Sequence, residues 1–296
     1  MTDEAGFIAS LRDLATSPAA RGLLDDAAVL EFGGEALVLT HDTMVEGVHW
    51  LEGQDLADVA WKLVATNLSD LAAKGAAPLG VLLAYSLADD AANARFRAGL
   101  QEVVQAYDTA LLGGDTVSAP NGPLHFGLTA IGRATCDPVP SRSGAAPGDL
   151  LYVTGVVGSA MLGFEAMRDG TDAESAAYRR PLPLLREGQV LAPLVSAMMD
   201  VSDGLLLDAS RMARASGVSI AIRSHDTPVA DPARRSECLR WGDDYQLLFT
   251  APADLQLPIQ AHLIGEVLPA GGASLLRLDG ESLQDDGSLG YSHAGP

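Results

Sequence analysis

The sequence predicts an α+β protein of two domains that meet near residue 140. Three observations carry this reading. The 296 residues are 48% hydrophobic and 20% charged, a balance that folds around cores over a length sufficient for two ordinary domains. Hairpin and helical patterns are mixed along the chain, without the strict alternation that a parallel α/β sheet requires. Residues 136–149, CDPVPSRSGAAPGD, are rich in Pro, Gly and Ser and form the best linker.

The elements follow in order. Residues 26–40 read as a hairpin, with Gly33-Gly34 between AAVLEF and EALVLT favouring a two-residue primed turn. If Phe32 pairs with Glu35, Asp26 faces His41 and Asp25 faces Asp42. Two carboxylates opposed in this way, about 4 Å apart at an effective dielectric of about 20, repel by roughly 4 kcal/mol. That register calls for a cation between them or for open solvent. Residues 58–74 are predicted to be a helix with Trp61, Val64, Leu68 and Leu71 on one stripe, ended by Gly75 with Pro78 beyond. VLLAYSL (81–87) reads as a buried strand and LHFGLTAIG (124–132) as another, with a helix marked by Phe96, Leu100, Val103, Val104 and Tyr107 between them. After the linker, LLYVTG is a strand, and 159–168, 189–198 and 205–216 are helices, the last closed by Gly217. VSIAI, YQLLFT (245–250), LIGEV (263–267) and SLLRL (274–278) complete a second set of strands.

Composition removes several functions. With 39 acidic against 19 basic residues the formal charge is −20, so nucleic acid is not an expected partner. Cys136 and Cys238 form no CxxC pair, which excludes a disulfide framework and a Cys-rich zinc site and fits a reducing cytoplasm. The start, MTDEAGFIASLRDL, lacks the apolar run of a secretory signal, and no stretch of about 18 apolar residues exists to span a bilayer. The only lysines are Lys62 and Lys74, neither in a G-K-[ST] context, so a Walker-type phosphate loop is excluded. GxGxxG, HExxH and GxSxG are also absent, which disfavours a dinucleotide fold, a zincin and a serine hydrolase. Any phosphate chemistry falls to metal ions and backbone groups.

The acids are 27 Asp and 12 Glu, and five groups of Asp stand at the mouths of strands or helices. Asp25, Asp26 and Asp42 lie on the hairpin. Asp70 shares a helix face with Asn67, although an i, i+4 surface pair with Lys74 explains it equally well. Asp115 follows Gly113-Gly114 in ALLGGDTV, where glycines let N–H groups approach an anion and Asp115 and Thr116 offer ligands; a tight turn is the plainer reading. Asp200, Ser202 and Asp203 stand in MDVSDGLLLD, with Asp203 suited to cap the helix. Asp243 and Asp244 precede a buried strand. Short carboxylates in this number suit Mg²⁺, which binds through a few oxygens plus substrate phosphates.

LDDAAVL, THDTMVEGVHW, WKLVATNLSDLAAKGAAPLG, LLGGDTV, SRSGAAPGDLLYVTG, MDVSDGLLLD, GDDYQLLFT and GYSHAGP occur in this order over most of the chain. Together they resemble the thiamine-monophosphate kinase family, within the superfamily of aminoimidazole ribonucleotide synthase and selenophosphate synthetase. The resemblance implies an N-terminal mixed-sheet domain (residues 1–136) that binds ATP and Mg²⁺ and forms a homodimer. It implies a C-terminal α/β domain (137–296) that completes the nucleotide and substrate site. The implied reaction is ATP-dependent phosphorylation of thiamine monophosphate to thiamine diphosphate. By position, Asp26, Thr40, His41, Asp42, Asp70, Asp115, Asp200 and Asp203 would bind several Mg²⁺ ions, His41 through its main chain. Tyr107, Gly114, Asp115, Arg142 and Ser202 would contact ATP, and His49, Asp243 and Tyr291 would hold thiamine monophosphate. Asp42, Asp115 and Arg142 would be catalytic, Arg142 as a phosphate clamp, although a flexible linker Arg is its plainer reading. Leu24, Val117, Trp241, Gln246 and Ala294 depart from the family pattern. Another ATP-dependent synthase of the superfamily, or a non-catalytic acidic protein binding divalent ions, are the alternatives.

Overall fold

A computed structural model describes residues 4–118, 122–271 and 275–293. After a short helix, α1 (Glu4–Leu11), strands β1 (Ala28–Phe32) and β2 (Glu35–Val45) form the predicted hairpin. Gly33 and Gly34 have φ of 64° and 87°, the left-handed pair that a primed turn requires. The register is the expected one, from Phe32↔Glu35 to Ala28↔Leu39. The ladder ends at Ala28, so Asp25 and Asp26 precede it and Asp25 does not oppose Asp42. The expected repulsion is corrected: Asp25 turns instead to the cations Arg21 and Lys74.

Helix α2 (Leu56–Ala73) is capped by Asp55, whose side chain accepts from the Ala57 N–H at 3.0 Å. Sixteen of its 18 residues are buried, all but Trp61 and Asp70. A helix buried on nearly every side lies between layers. It packs on one side against β2, β5 (His125–Ala134) and α3 (Asp90–Ala106), and on the other against α6 (Leu185–Leu191) and β7 (Ala197–Asp200) of the C-terminal half. Gly75 ends it with φ 59°, and a Cβ there would lie 2.2 Å from that of Ala192. Strands β3 (Ala76–Ser86) and β4 (Ala110–Val117) complete a five-stranded sheet of order β1-β2-β5-β3-β4, parallel only between β3 and β4.

The second sheet has seven strands in the order β12-β11-β8-β10-β6-β9-β7. These are β6 (Leu150–Val153), β7 (Ala197–Asp200), β8 (Ser219–Ile222), β9 (Leu247–Ala251), β10 (His262–Leu268), β11 (Leu276–Leu278) and β12 (Glu281–Leu283). The helices α4 (Ser159–Arg168) and α7 (Leu205–Ser216) have the predicted bounds, and α5 (Ala176–Arg179), α6 (Leu185–Leu191) and α8 (Arg235–Cys238) are short. The predicted helix at 189–198 is corrected. Helix α6 stops at Leu191 before Pro193, and Ala197–Asp200 is a strand buried on both faces that pairs with β9. A short apolar run has no periodicity to separate these outcomes. Ala72 and Ala73 of α2 pack with Met198, Leu247 and Phe249, so the C-terminal end of α2 is seated on the second sheet.

Candidate active site

Asp26 just before β1, Asp70 on α2 and Asp200 at the end of β7 converge on that seam. One oxygen from each lies within 4.8 Å of the others, where an ionised pair repels by roughly 3 kcal/mol at an effective dielectric of about 20. Thr40 on β2 donates its hydroxyl to Asp70, and Ser69 donates to Asp200 Oδ2 at 2.6 Å. Asp200 Oδ1 is buried with no hydrogen-bond partner among the described residues. Burial first, and then the neighbouring carboxylates, push Asp200 up to about 8 and Asp70 well above the usual carboxylate range. Asp42 is pushed up to about 6, chiefly by burial, and its N–H donates to Asn67 Oδ1 at 3.2 Å. Asn67 and Asp70 thus share the face of α2 that meets β2. Hard oxygen donors with an unpaired lone pair fit a divalent ion such as Mg²⁺.

Fixed cations border the cluster. Lys74 Nζ, fully buried, lies 2.5 Å from both Asp25 Oδ1 and Asp26 Oδ2. The Asp70–Lys74 surface pair considered from the sequence does not form. Arg142 donates from Nε to Asp26 Oδ1 at 2.6 Å, so it is clamped and not a free linker side chain. The surrounding carboxylates hold its guanidinium charged against its burial.

The DVSDG turn is set by Asp208, fully buried on α7, which accepts from the Ser202 and Asp203 N–H groups at 3.1 and 3.0 Å and from Arg211 at 3.0 Å. Burial raises Asp208 to about 7. The helix cap assigned to Asp203 is corrected: Gly204 (φ 120°) holds that position, and the Asp203 carboxylate pairs with Arg211. Asp203 remains close enough to Asp42 to raise it electrostatically.

A second cluster gathers the residues expected to hold substrate. Lys62, fully buried on α2, donates to Asp243 Oδ2 at 2.7 Å and to the His49 carbonyl at 3.1 Å, and lies 4.0 Å from the centre of the Tyr178 ring. Tyr245 donates to Asp243 Oδ1 at 2.9 Å. The His49 and His293 rings are 5.3 Å apart, and Tyr291 stands edge-on to His293 at 5.0 Å. Burial and the facing His293 lower the His49 pKa. The Val45 N–H donates to His49 Nδ1 at 2.9 Å, so the neutral ring carries its proton on Nε2. Asp243 has φ 65°, and its N–H donates to the Ser202 carbonyl at 2.8 Å, which joins this pocket to the DVSDG turn. Asp244 accepts from the Gly158 and Ala160 N–H groups at 2.5 and 3.1 Å, tying the same loop to the start of α4.

Asp115, Gly114, Tyr107 and the His41 ring stand apart from the acidic cluster. Asp115 lies on β4, an edge strand exposed along its whole length, across from Ala84, Gly127 and Thr43 in register. Three strand spacings put it about 14 Å from β2. Its carboxylate accepts from the neighbouring Thr116 N–H at 2.9 Å, and the tight turn considered from the sequence is a strand. In the single chain Asp115 is therefore outside the acidic cluster. Gly114 is a packing glycine, because a Cβ would lie 1.9 Å from the Leu83 carbonyl, and Tyr107 packs edge-on against Trp61 at 6.0 Å. The His41 ring bonds Thr129 at 2.9 Å on the exposed side of the sheet.

Residues 24–134 match the family described as AIR synthase related protein, N-terminal domain, and residues 146–275 match its C-terminal domain. The chain is 37% identical over 294 residues to the thiamine-monophosphate kinase of Caulobacter vibrioides, covering 93% of this chain and 82% of that one. The chain belongs to the thiamine-monophosphate kinase family. The thiamine-monophosphate kinase of Escherichia coli K12 is also 37% identical, over 250 residues covering 78% of this chain and 76% of the relative. The structure of AaThiL complexed with AMPPCP and TMP superposes with a TM-score of 0.87 at 26% identity, covering 99% of this chain and 97% of that one. The thiamine-monophosphate kinase of Stenotrophomonas maltophilia K279a gives a TM-score of 0.75 at 30% identity, covering 94% and 96%. The two-domain α+β fold is that of the thiamine-monophosphate kinase family.

The departures from the family pattern now have places. Leu24 lines a cavity of about 410 Å³ with Arg21, Asp25, Ser141, Ser143 and Ala215. Trp241 packs against Phe164 with ring centres 5.3 Å apart, and Gln246 accepts from the Thr154 hydroxyl at 3.0 Å. Val117 is exposed on β4, and Ala294 lies outside the described residues. The sequence reading missed Lys62, Lys74, Asp208 and His293 as parts of the site, and it grouped Asp244 with the other acids without seeing that it ties this loop to α4. For the lysines a signal existed: a cation inside WKLVA or LAAKGAAP has apolar neighbours on every side and must be paired once buried.

Proposed function

We propose that this chain transfers a phosphoryl group from ATP to thiamine monophosphate, giving thiamine diphosphate, with Mg²⁺ held by its acidic cluster. The observation that carries the reading is the convergent Asp26–Asp70–Asp200 group, with an Asp200 oxygen buried and unpaired among the described residues, in the fold of the AaThiL structure complexed with AMPPCP and TMP. Asp26, Asp70 and Asp200 would hold the ions, with Asp42, Asp203, the Thr40 hydroxyl and the His41 main chain beside them. Mg²⁺ held by these residues would neutralise phosphate charge and favour in-line transfer between the two phosphates. The attacking phosphate oxygen is already ionised near neutral pH, so the protein needs no general base. The His41 ring, turned to Thr129, agrees with that. Arg142 is anchored on Asp26 beside the cluster, where it would serve as a phosphate clamp. His49, Asp243 and Tyr291 receive the organic end of thiamine monophosphate, with Lys62 fixing Asp243.

Tyr107, Gly114, Asp115 and Ser202 are assigned to the nucleotide, and Asp115 requires a second copy to complete that role. Strand β4 supports a homodimer through the N-terminal sheet: Leu111 and Leu112 are exposed on it, and Leu79 and Leu82 are exposed on the adjacent β3. We place the domain boundary at 136/137 and the protein in the cytoplasm, where free Cys136 and Cys238 remain reduced. Among the described residues no helix is long and apolar enough to cross a membrane. The test is incubation with ATP, Mg²⁺ and thiamine monophosphate. Thiamine diphosphate and ADP are expected in equal amounts; folded enzyme at high concentration that forms neither overturns the proposal.

A further inference from the structure

The geometry points to Lys74 as a built-in counter-ion of the acidic cluster, a fixed ammonium that limits the divalent ions the cluster takes up. The inference rests on the reading that Asp26, Asp70 and Asp200 bind divalent ions, and it concerns how many and how tightly.

Lys74 caps the C-terminus of α2 with its side chain wholly buried, and a cation suits that end of a helix. The ammonium donates to Asp25 Oδ1 and, at 3.3 Å, to the Met198 carbonyl of β7, and it forms an ion pair with Asp26 Oδ2. Asp25 cannot rotate away. Its Oδ1 also accepts from the Asp26 N–H at 3.0 Å and the Arg142 N–H at 3.2 Å, and its Oδ2 accepts from Arg21 at 2.5 Å. Asp25 therefore holds the lysine, and the lysine holds Asp26.

The cluster is charged unevenly as a result. Asp26 meets two fixed cations, Lys74 and Arg142. Asp70 and Asp200 accept hydrogen bonds from neutral hydroxyls, Thr40 and Ser69. A mobile divalent ion is required by Asp70 and Asp200, whereas Asp26 is pre-oriented and already compensated. Unlike a bound ion, Lys74 stays in place at any Mg²⁺ concentration. It keeps the metal-free site from being forced open by its own charge.

The test is Mn²⁺ binding, counted by electron paramagnetic resonance and calorimetry, on wild type, Lys74→Met and the double variant Lys74→Met/Asp25→Asn, with and without a non-hydrolysable ATP analogue. Lys74→Met is expected to bind one additional Mn²⁺, or to bind Mn²⁺ at least about tenfold more tightly. Its metal-free form unfolds at lower temperature and recovers with Mn²⁺. The double variant, with one negative charge fewer, returns to the wild-type number and affinity. Superimposable isotherms for wild type and Lys74→Met overturn the inference. If Lys74→Met does not fold without metal, a double variant that folds and binds as wild type supports the charge role, and one that fails to fold overturns it. Wild type that binds no Mn²⁺ in either state overturns the reading of the cluster itself, and the inference with it.

Discussion

The two lysines of the chain stand on one helix and serve opposite kinds of site. They are twelve residues apart on α2, about 18 Å along its axis. Around Lys74, carboxylates outnumber cations at the cluster and one buried oxygen of Asp200 lacks a partner among the described residues. Around Lys62, a single carboxylate, Asp243, faces the ammonium, and carbonyl and ring contacts complete its shell. The first region is short of positive charge, and under the proposed function a divalent ion there would receive the phosphates. The second is balanced within the chain and suits an organic group recognised by shape and hydrogen bonds. One helix, buried by both halves of the molecule, holds the two regions at a fixed distance.

Breaking the acid-rich end should have the largest effect. Asp200→Asn is expected to lower kcat by about 10³-fold or more at saturating substrates, since charge neutralisation at the transferring group is lost. The metal-free protein should be no less stable, because a buried repulsion is relieved. Steady-state rates and thermal unfolding on the same preparation check both halves of this expectation, and near-normal turnover would remove the cluster from the reaction.

Breaking the balanced end should be milder and selective. Lys62→Met leaves Asp243 without its cation and is expected to raise the KM for thiamine monophosphate by about 10- to 100-fold. The KM for ATP should stay within about twofold. Equal effects on both substrates would erase the distinction between the two regions.

The two ends also differ in pH response. Asp42 and Asp200 have folded pKa values of about 6 and 8, above the ordinary 3.8, so the folded state binds more protons than the unfolded state between those limits. Their contribution to stability is full below pH 4 and is lost as pH rises towards 8. Asp25 acts in the reverse sense: its pKa is depressed, and its contribution is lost as pH falls below about 4. Urea unfolding of metal-free protein should thus show falling stability from pH 5 to 8, and excess Mg²⁺ should flatten the slope. At the balanced end the change is smallest. His49 titrates below its ordinary 6.5, and its protonation breaks the bond from the Val45 N–H. Thiamine monophosphate binding should weaken by only about two- to threefold below that pKa. Imidazole ¹⁵N shifts would locate the titration and show whether Nε2 carries the proton at pH 7.

What could be read from the sequence divides along the same line. The hairpin register was legible because Gly-Gly turns and apolar alternation are local signals. Asp200 was legible because a carboxylate inside an apolar segment has no surface role to fill, whereas for Asp70 a surface pair with Lys74 explained the sequence equally well. The partners of those acids were not. Lys74 meets Asp25 across 49 positions and Arg142 meets Asp26 across 116, distances over which no spacing rule operates. Asp208, which the sequence did not single out, binds the turn, since its helix brings a buried carboxylate back under the preceding N–H groups. The scarcity of lysine was read only as the absence of a phosphate loop. The positions of Lys62 and Lys74 within apolar runs held the further information that both are buried and paired.

The central claim is that divalent ions at the acid-rich end receive the phosphates while the Lys62 end receives the organic part of the substrate. Crystals grown with Mn²⁺, a non-hydrolysable ATP analogue and thiamine monophosphate test it directly through the anomalous signal of the metal. The account predicts Mn²⁺ in direct coordination with Asp70 and Asp200, phosphate oxygens on the same ions, and the thiamine ring beside His49 and Asp243. Mn²⁺ bound elsewhere with these carboxylates bare, or the thiamine ring against the acidic cluster, would contradict it.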